Sequence, residues 1–272
     1  MVSRQPRPGA HDPFLQVSVL VSVDRNQINR ELLIGALGDE WPPDLIQTAA
    51  EMLADSESRF PSGPRRLPGD LVRAIQRERL LVGMLRAVAE LGYRVTNVQD
   101  VIERAGVSRP TFYEHFSNKD DCFLAAFDTS AARLRAQVAT AADQGGDCWR
   151  DRLRLGFDAL LAFADAEPDA ARVVIVEARA ATPDAALRRV ALIDEFANCI
   201  DTKVRELLPA GTAHSSVTAS GVVGGVESML YGRLNKGQMD DLPALLPSLM
   251  YFAVLPYEGH LAASEELGLK TT

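Results

Sequence analysis

Cysteine and histidine are scarce in this sequence, which has three of the first and four of the second among 272 residues. Cys122, Cys148 and Cys199 lack metal-ligand spacing, and an odd number cannot all pair, so we expect free thiols that are buried or half-buried. The histidines form no His-x3-His or His-Glu pair on a helix, and we find no phosphate-binding glycine loop and no nucleophile elbow. These absences argue against a metal site, a cofactor and a catalytic residue, and therefore against an enzyme.

Long apolar runs are also missing, because no stretch of 18 apolar residues predicts a membrane span. The N-terminus lacks the pattern of a secretion signal, which leaves the cytoplasm as the expected compartment. A formal net charge of −8 at first argues against nucleic acid as a partner. However, residues 71–120 contain eight Lys and Arg against six Asp and Glu, so the excess acid lies elsewhere. A local basic surface that binds nucleic acid is therefore compatible with the negative net charge of the chain.

Residues 98–119 have the pattern of two short helices joined by a tight turn. Apolar residues recur at helical spacing from Val98 to Ala105, and Gly106 is suited to end that helix in a left-handed conformation. Ser108 is a good N-cap for a second helix, with Pro110 in its first turn. This pattern predicts a helix-turn-helix, whose second helix enters the DNA major groove.

The outward face of the second helix carries side chains suited to DNA. Arg109 and Thr111 are at its N-terminal end, where base edges are reached, and arginine can form a bidentate bond to guanine. Tyr113, His115 and Lys119 have donors for phosphate oxygens. The alternative interpretation is a surface helix pair of an ordinary α-helical domain, with a solvated polar face.

Residues 106–121, Gly-Val-Ser-Arg-Pro-Thr-Phe-Tyr-Glu-His-Phe-Ser-Asn-Lys-Asp-Asp, resemble the signature of the TetR family of one-component repressors. The similarity covers roughly 75–127, including a preceding helix that ends at Gly92-Tyr93. Asn97 stands where the family usually has threonine, and asparagine caps a helix equally well. The resemblance implies that eight residues contact DNA. They are Asn97, Ser108, Arg109, Pro110, Thr111, Tyr113, His115 and Lys119.

The predicted fold class is all-α. We expect a three-helix helix-turn-helix DNA-binding domain at 71–119 and a helical-bundle domain for ligand binding and dimerisation at 120–272. A Ser117-x-x-Asp120 capping box would begin helix four, which links the two domains. We expect residues 1–70 to form an atypical extension and linker that is partly disordered. Within it, residues 17–23 have the period-2 pattern of a strand, and short helices are expected near 25–37 and 44–53. The arginines at 59–66 are suited to the DNA minor groove. We assign no function to 1–58.

The last two long helices, near 215–235 and 240–263, each have one apolar face. Gly221, Gly224 and Gly225 lie beside the first face, where they permit a close helix contact or leave space for a ligand. By resemblance, these helices form a four-helix bundle with a second subunit, giving a homodimer. The alternative is an ordinary core within one chain.

The central helices are the predicted site of a hydrophobic small-molecule effector, because bundle pockets combine an apolar lining with a few polar anchors. The candidate ligand-binding residues are Phe157, Phe163, Val176, Arg179, Phe196, Met229 and Tyr251. Each of them alone is also compatible with ordinary core or surface.

The preferred interpretation is a homodimeric, ligand-responsive repressor that reads a palindromic double-stranded DNA operator with the helix at 108–116. The effector would act by shifting helix four. Two alternatives remain from other classes. One is a helical small-molecule-binding protein or enzyme without sequence-specific DNA binding, and the other is an oligomeric scaffold.

Overall fold

The structure, a computed structural model, describes residues 48, 52, 67–207, 215–238 and 241–268. Within these ranges every regular element is helical, which confirms the predicted all-α class. The predicted strand at 17–23, the helix near 25–37 and the linker arginines lie outside the described residues. Of the predicted helix near 44–53, Thr48 and Met52 are described, and both are helical.

The helices are numbered in chain order. They are α1 (Gly69–Leu91), α2 (Val98–Ala105), α3 (Arg109–His115), α4 (Lys119–Asp143), α5 (Trp149–Ala166), α6 (Pro168–Ala171), α7 (Pro183–Leu207), α8 (Ser216–Asn235) and α9 (Leu246–Glu266). A π-helical turn (Arg172–Val176) and a 3-10 turn (Glu177–Arg179) continue α6, and a second 3-10 turn (Leu242–Leu245) precedes α9. None of the described helices has the length and apolar content that crossing a bilayer requires.

The two short helices begin and end where local chemistry predicts. Asn97 and Asp100 form a reciprocal capping box at the start of α2, so that each side chain accepts a backbone N–H of the other residue. Gly106 ends α2 in the left-handed region, with φ of 63°. Ser108 caps α3 by accepting the N–H of Thr111 at 3.3 Å. Capping therefore fixes both ends of the turn between α2 and α3.

The start of α4 corrects the prediction by one residue. Its N-cap is Asn118, whose side chain accepts the N–H of Asp121 at 2.9 Å. Ser117 instead donates its backbone N–H and its hydroxyl to the Asp121 carboxylate, at 2.9 and 3.0 Å. Ser117 and Asn118 are both good caps, and the sequence pattern does not distinguish between neighbours of this kind.

The three thiols are free, as predicted. Cys122 is fully buried in α4, and this burial raises the pKa of its thiol, so it remains protonated at neutral pH. Cys148 and Cys199 are exposed, which corrects the expectation that all three thiols would be buried or half-buried.

The segment from Arg172 to Arg179, after α5 and α6, is not a regular α-helix. Val173, Val174, Ile175 and Val176 are all buried on the π-helical turn. On an α-helix, four consecutive side chains point in directions about 100° apart, so burying all four requires partners around nearly the whole circumference. Here the partners come from several helices, because the turn packs against α1, α4 and α8.

Close packing of α1 on α2 holds the helix-turn-helix in place. A Cβ added to Gly83 of α1 would lie 2.7 Å from the carbonyl oxygen of Val101 and 3.0 Å from the Cβ of Ala105. Both obstacles belong to the backbone or to a short side chain, so neither can rotate away. Gly83 therefore permits an approach that any larger residue would block.

Gly83→Ala is expected to lower the free energy of unfolding by about 1–3 kcal/mol, the usual cost of overpacking. Helix propensity alone would favour alanine over glycine by about 1 kcal/mol, so a loss of stability must come from the close contact with α2. Urea unfolding followed by circular dichroism measures it. Gly69→Ala is the control on the same helix, because nothing lies within 4 Å of its added Cβ. Equal stability of the two variants would contradict the close contact.

Candidate nucleic-acid interface and effector cavity

The N-terminal turn of α3 is displayed to solvent, whereas the opposite face of the helix is sealed. Ser108, Arg109 and Pro110 are exposed. Phe112 and Phe116 are only 0% and 3% exposed, and their ring centroids are 5.9 Å apart. The buried phenylalanines fix the rotation of α3, so its polar side is available to a partner.

The side chains of this turn offer hydrogen-bond donors that are suited to a nucleic-acid groove. Among the described residues, the Arg109 guanidinium has no hydrogen-bonding or ionic partner, which leaves all of its donors available. The hydroxyls of Ser108 and Thr111 lie 2.8 Å apart at the helix start. Tyr113, one turn further on, is 53% exposed. Asn97 is also exposed, at the start of α2.

His115, at the end of α3, is more enclosed than a phosphate donor needs to be. It is half-buried, and its Nε2 atom is buried without a hydrogen-bond partner among the described residues. Burial lowers the pKa of its imidazole, and the charges of Arg73 and Arg77 lower it further, so the ring is neutral at pH 7. A DNA contact by His115 remains a prediction, and it would involve the neutral ring.

The same arginines add a feature that the sequence analysis missed. Arg73 is exposed on α1, and the Arg77 guanidinium lies 5.2 Å from the centroid of the Phe116 ring. Both side chains act electrostatically on His115, so α1 brings two positive charges to the end of α3. Their spacing of four residues puts them on one face of α1, which is the signal that was available in the sequence.

Lys119 holds the turn between α1 and α2. Its ammonium donates to the carbonyls of Tyr93 and Thr96, at 3.0 and 2.9 Å, and lies 4.0 Å from the centroid of the Tyr93 ring. The Tyr93 hydroxyl donates to Asp120, and burial together with this carboxylate raises the pKa of the phenol. A phosphate contact by Lys119 remains a prediction. The observed contacts give Lys119 a positioning role.

A cavity of about 340 Å³ lies among the central helices, lined by α4, α5, α7, α8 and the π-helical turn. Helix α7 supplies a continuous stripe that includes Leu192, Phe196 and Ile200. The opposite wall includes Phe157 and Leu160 of α5. The lining is largely apolar, so the cavity suits a hydrophobic molecule.

Two ion pairs show how α4 and α7 lie along the cavity. Asp128 pairs with Arg188, and Arg135 pairs with Glu195 at 2.8 Å, so both pairs have the same sequence separation. The two helices therefore run side by side in the same direction. Asp143 and Lys203 have the same separation again, so both lie at one end of the cavity, which they line.

The other end is marked by a cluster of three charges. Glu227 of α8 pairs with Arg189 of α7 and with Arg179, the last residue of the 3-10 turn that follows the π-helical turn. Arg189 and Lys203 are 14 residues apart on α7, a distance of about 21 Å along a helix. The cavity is therefore elongated, with charged groups at both ends.

Two of the predicted ligand-binding residues, Phe157 and Phe196, line this cavity. The other five do not line it, and a ligand contact by them remains a prediction. They are Phe163, Val176, Arg179, Met229 and Tyr251.

Helical phase explains three of these five. Phe163 is 1% exposed in the general core, and Val176 is buried on the far side of the π-helical turn from the lining residues. Met229 is 39% exposed, because the lining side of α8 carries Val226 and Leu230 instead.

The remaining two residues, Arg179 and Tyr251, make polar contacts within the chain. Arg179 pairs with Glu227 and lies over the Tyr231 ring, with its guanidinium carbon 4.3 Å from the centroid. The Tyr251 hydroxyl lies 3.2 Å from Nδ1 of His260. Sequence reasoning missed Glu227 and Arg189, because the meeting of two helices creates their pair.

The comparisons agree with this arrangement of helices. The model of the family described as "Bacterial regulatory proteins, tetR family" matches residues 80–126. The chain is 30% identical over 135 residues to the HTH-type transcriptional activator FasR of Mycolicibacterium smegmatis, which is 48% of this chain and 58% of FasR. It is 38% identical over 66 residues to the HTH-type transcriptional repressor AcnR of Corynebacterium diphtheriae, covering 24% of this chain and 35% of AcnR. The chain thus spans about a third to a half or slightly more of these curated relatives.

A solved structure has the same fold over a longer span. The transcriptional regulator FadR from Bacillus subtilis, in complex with stearoyl-CoA, superposes with a TM-score of 0.55. The superposition covers 66% of this chain and 97% of FadR, with 18% sequence identity. This likeness concerns the fold alone.

The enclosure of His115 predicts a pH dependence of stability. Because its pKa is lowered on folding, the unfolded chain binds the proton first as the pH falls below about 6.5. The contribution of His115 is therefore fully present above that pH and is lost on acidification. His115→Gln should lose less stability than the parent protein between pH 7.5 and 5.5, measured by urea unfolding. Equal losses in the two proteins would show that His115 does not titrate in this way.

Proposed function

We propose, from the membership of this chain in the TetR family of bacterial regulatory proteins, that it is a ligand-responsive transcriptional repressor and binds a palindromic operator as a homodimer. The observation that carries the proposal is the N-terminal turn of α3, with a free Arg109 guanidinium on a helix whose other face is sealed. On this proposal, residues 71–119 form the DNA-binding domain and 120–272 the ligand-binding and dimerisation domain. An operator as partner implies the cytoplasm as its compartment.

The exposed side chains divide by role. Arg109 and Thr111 are placed for base edges, because the N-terminal residues of a recognition helix enter the groove first. Ser108, Pro110, Tyr113 and Asn97 flank them, where contacts to the DNA backbone would fix the register. Arg73 and Arg77 extend the basic surface beyond α3 and are suited to phosphates.

The proposed dimer face is on α8 and α9. A Cβ added to Gly225 would lie 2.5 Å from a ring carbon of Phe252, so contact with α9 within the chain accounts for this glycine. Among the described residues, nothing lies within 4 Å of a Cβ added to Gly221 or Gly224, and Val217 on the same side of α8 is 72% exposed. Small residues beside an exposed apolar side chain suit a closely packed second subunit. Two such subunits would present two α3 helices to two half-sites.

The size of the cavity supports a bound effector over a solid scaffold. At about 340 Å³, the cavity has a size typical of small-molecule pockets, which fall between about 300 and 1,000 Å³, and its lining is largely apolar. We propose that an elongated molecule with an apolar chain occupies the cavity, and the stearoyl-CoA bound by the FadR neighbour is one molecule of that shape.

Helix α4 gives the effector a route to DNA. Its first turns pack in the core of the helix-turn-helix through Phe123 and Phe127, and its later turns line the cavity from Leu134 to Asp143. A ligand that binds one position of α4 more tightly shifts the population toward it. A change in the distance between the two α3 helices would then release the operator.

Selection of bound fragments from random double-stranded DNA tests the function. We expect enrichment of an inverted repeat, with half-sites about 34–36 Å apart or a multiple of that spacing. Arg109→Ala should change the preferred base at one position of each half-site and cost about 1–3 kcal/mol of binding free energy. Selection without any enriched sequence would exclude the proposed function.

Two arginine variants serve as controls in that experiment. Arg73→Ala should weaken all sequences alike and reduce the salt dependence of binding by about one phosphate contact. Arg205→Ala, in the last turn of α7, should change neither property, since its exposed side chain pairs with Asp201 of the same helix. If Arg205→Ala and Arg73→Ala had equal effects, the basic surface at α3 would lose its support.

Titration with stearoyl-CoA tests the effector proposal. The parent protein should bind it and release its selected DNA. Ile200→Trp, which places an indole in the cavity wall, should weaken this binding by at least about tenfold, because it takes up apolar space. Leu187→Trp is the control on the same helix, since Leu187 is 68% exposed and does not line the cavity. Equal binding by both variants would place the ligand outside the cavity, and the absence of binding by the parent protein would exclude this acyl thioester.

A further inference from the structure

We propose that Arg172, Glu177 and Tyr93 form a relay that transmits occupancy of the cavity to the DNA-binding helices. This inference rests on the proposed function and assigns the regulation of the same site to particular residues. The relay is a second route beside α4. It acts on the turn that joins α1 to α2.

The relay begins in the wall of the cavity. Val174 and Ile175 line it, and both belong to the π-helical turn that ends immediately before Glu177. A π-helical turn interrupts the regular hydrogen bonding of a helix, and such turns are frequent at functional sites. A 3-10 turn follows it directly, so the backbone from 172 to 179 departs from α-helical geometry in two opposite ways. A ligand that presses on Val174 and Ile175 would therefore act on the part of the bundle with the least regular backbone.

The Glu177 carboxylate connects this segment to the helix-turn-helix. Its Oε2 atom accepts the backbone N–H of Tyr93 at 3.0 Å, across 84 residues of sequence. Only 15% of the Glu177 side chain is exposed, so solvent weakens this charge-assisted bond less than it would at the surface. Gly92, directly before Tyr93, has a φ of 79°, a left-handed conformation that glycine adopts without strain. Glu177 thus holds the backbone directly after the end of α1.

Arg172 extends the relay to a second wall of the cavity. Its Nη2 atom lies 3.4 Å from Oε1 of Glu177, and its Nη1 atom donates to the carbonyl of Leu234 at 3.2 Å. Leu234 is in the last turn of α8, one turn beyond Leu230, which lines the cavity. Movement of α8 and movement of the π-helical turn therefore converge on one carboxylate.

Tyr93 passes the effect to the start of α4 and to α2. Its ring packs against Phe123 of α4, with centroids 4.7 Å apart, and its carbonyl accepts from Lys119. Lys119 also holds the carbonyl of Thr96, next to the cap of α2. Displacing the N–H of Tyr93 would disturb the backbone that fixes the orientation of both α2 and α4. We infer that the bond from Tyr93 to Glu177 belongs to the state that binds DNA, and that an occupied cavity breaks it.

The DNA affinity of Glu177 variants tests the relay without any ligand. Glu177→Ala should weaken binding to the selected operator by about tenfold, within the usual range of allosteric coupling. Glu177→Gln keeps an acceptor for Tyr93 but loses the charge that pairs with Arg172, so its loss should be smaller. Glu265→Ala is the matched control, because Glu265 is exposed and pairs with Arg150 far from Tyr93. Binding by Glu177→Ala within twofold of the parent protein would overturn the relay.

A double-mutant cycle separates transmission from simple destabilisation. Leu160→Trp places an indole in the cavity as a fixed substitute for a ligand. It should weaken DNA binding by a larger factor in the parent background than in Glu177→Ala, where only the route through α4 remains, with thermal unfolding used to confirm that each variant is folded. Equal factors in the two backgrounds, including no change in either, would overturn the relay. If the parent protein selects no DNA sequence, the proposed function itself fails, so the two failures are distinguishable.

Discussion

The two short helices α2 and α3 depend on a fixed turn between α1 and α2. With eight and seven residues, each is too short to be stable alone in water, so tertiary contacts must hold both in place. The Lys119 ammonium does so by bonding two carbonyls of this turn, and Tyr93 adds a buried ring and a hydroxyl bond to Asp120. Lys119 and Asp120 belong to the first turn of α4, so the recognition helix is positioned by the helix that enters the bundle. Any movement of α4 is therefore also a movement of this turn.

Charge is distributed in a way that favours selective over indiscriminate DNA binding. The chain has a net charge of −8, although residues 71–120 have a small positive excess. Arg109 lies at the start of α3, with Arg73 and Arg77 near its end, so positive charge is concentrated around the proposed reader. Long-range attraction to phosphate is weak for such a molecule, and affinity must come from a few contacts at short range. Such contacts depend on correct geometry, which makes binding sensitive to small displacements of α3.

Sequence patterns predicted the parts of the structure that depend on neighbours along the chain. The caps at Asn97 and Ser108, the left-handed Gly106 and the buried Phe112 all follow from local rules, and the structure has them as expected. The cavity was different. Its lining depends on the rotation of each helix in the bundle, so an aromatic or flexible side chain such as Met229 was chosen by residue type and proved to face outward. Contacts between distant segments had no local signal at all.

Helix α8 contributes to three proposed features: the effector cavity, the relay through Arg172 and the dimer face. Its inner side lines the cavity through Val226 and Leu230, and its last turn offers the Leu234 carbonyl to Arg172. Its outer side carries Gly221 and Gly224 with open space around them. A second subunit packed on that side would restrict how far α8 can move. Dimerisation would then direct a displacement inside the cavity toward the π-helical turn and the DNA-binding helices, because the outward direction is blocked. A homodimer would then do more than duplicate the recognition helix, since the second subunit would also give the effector a rigid support to act against.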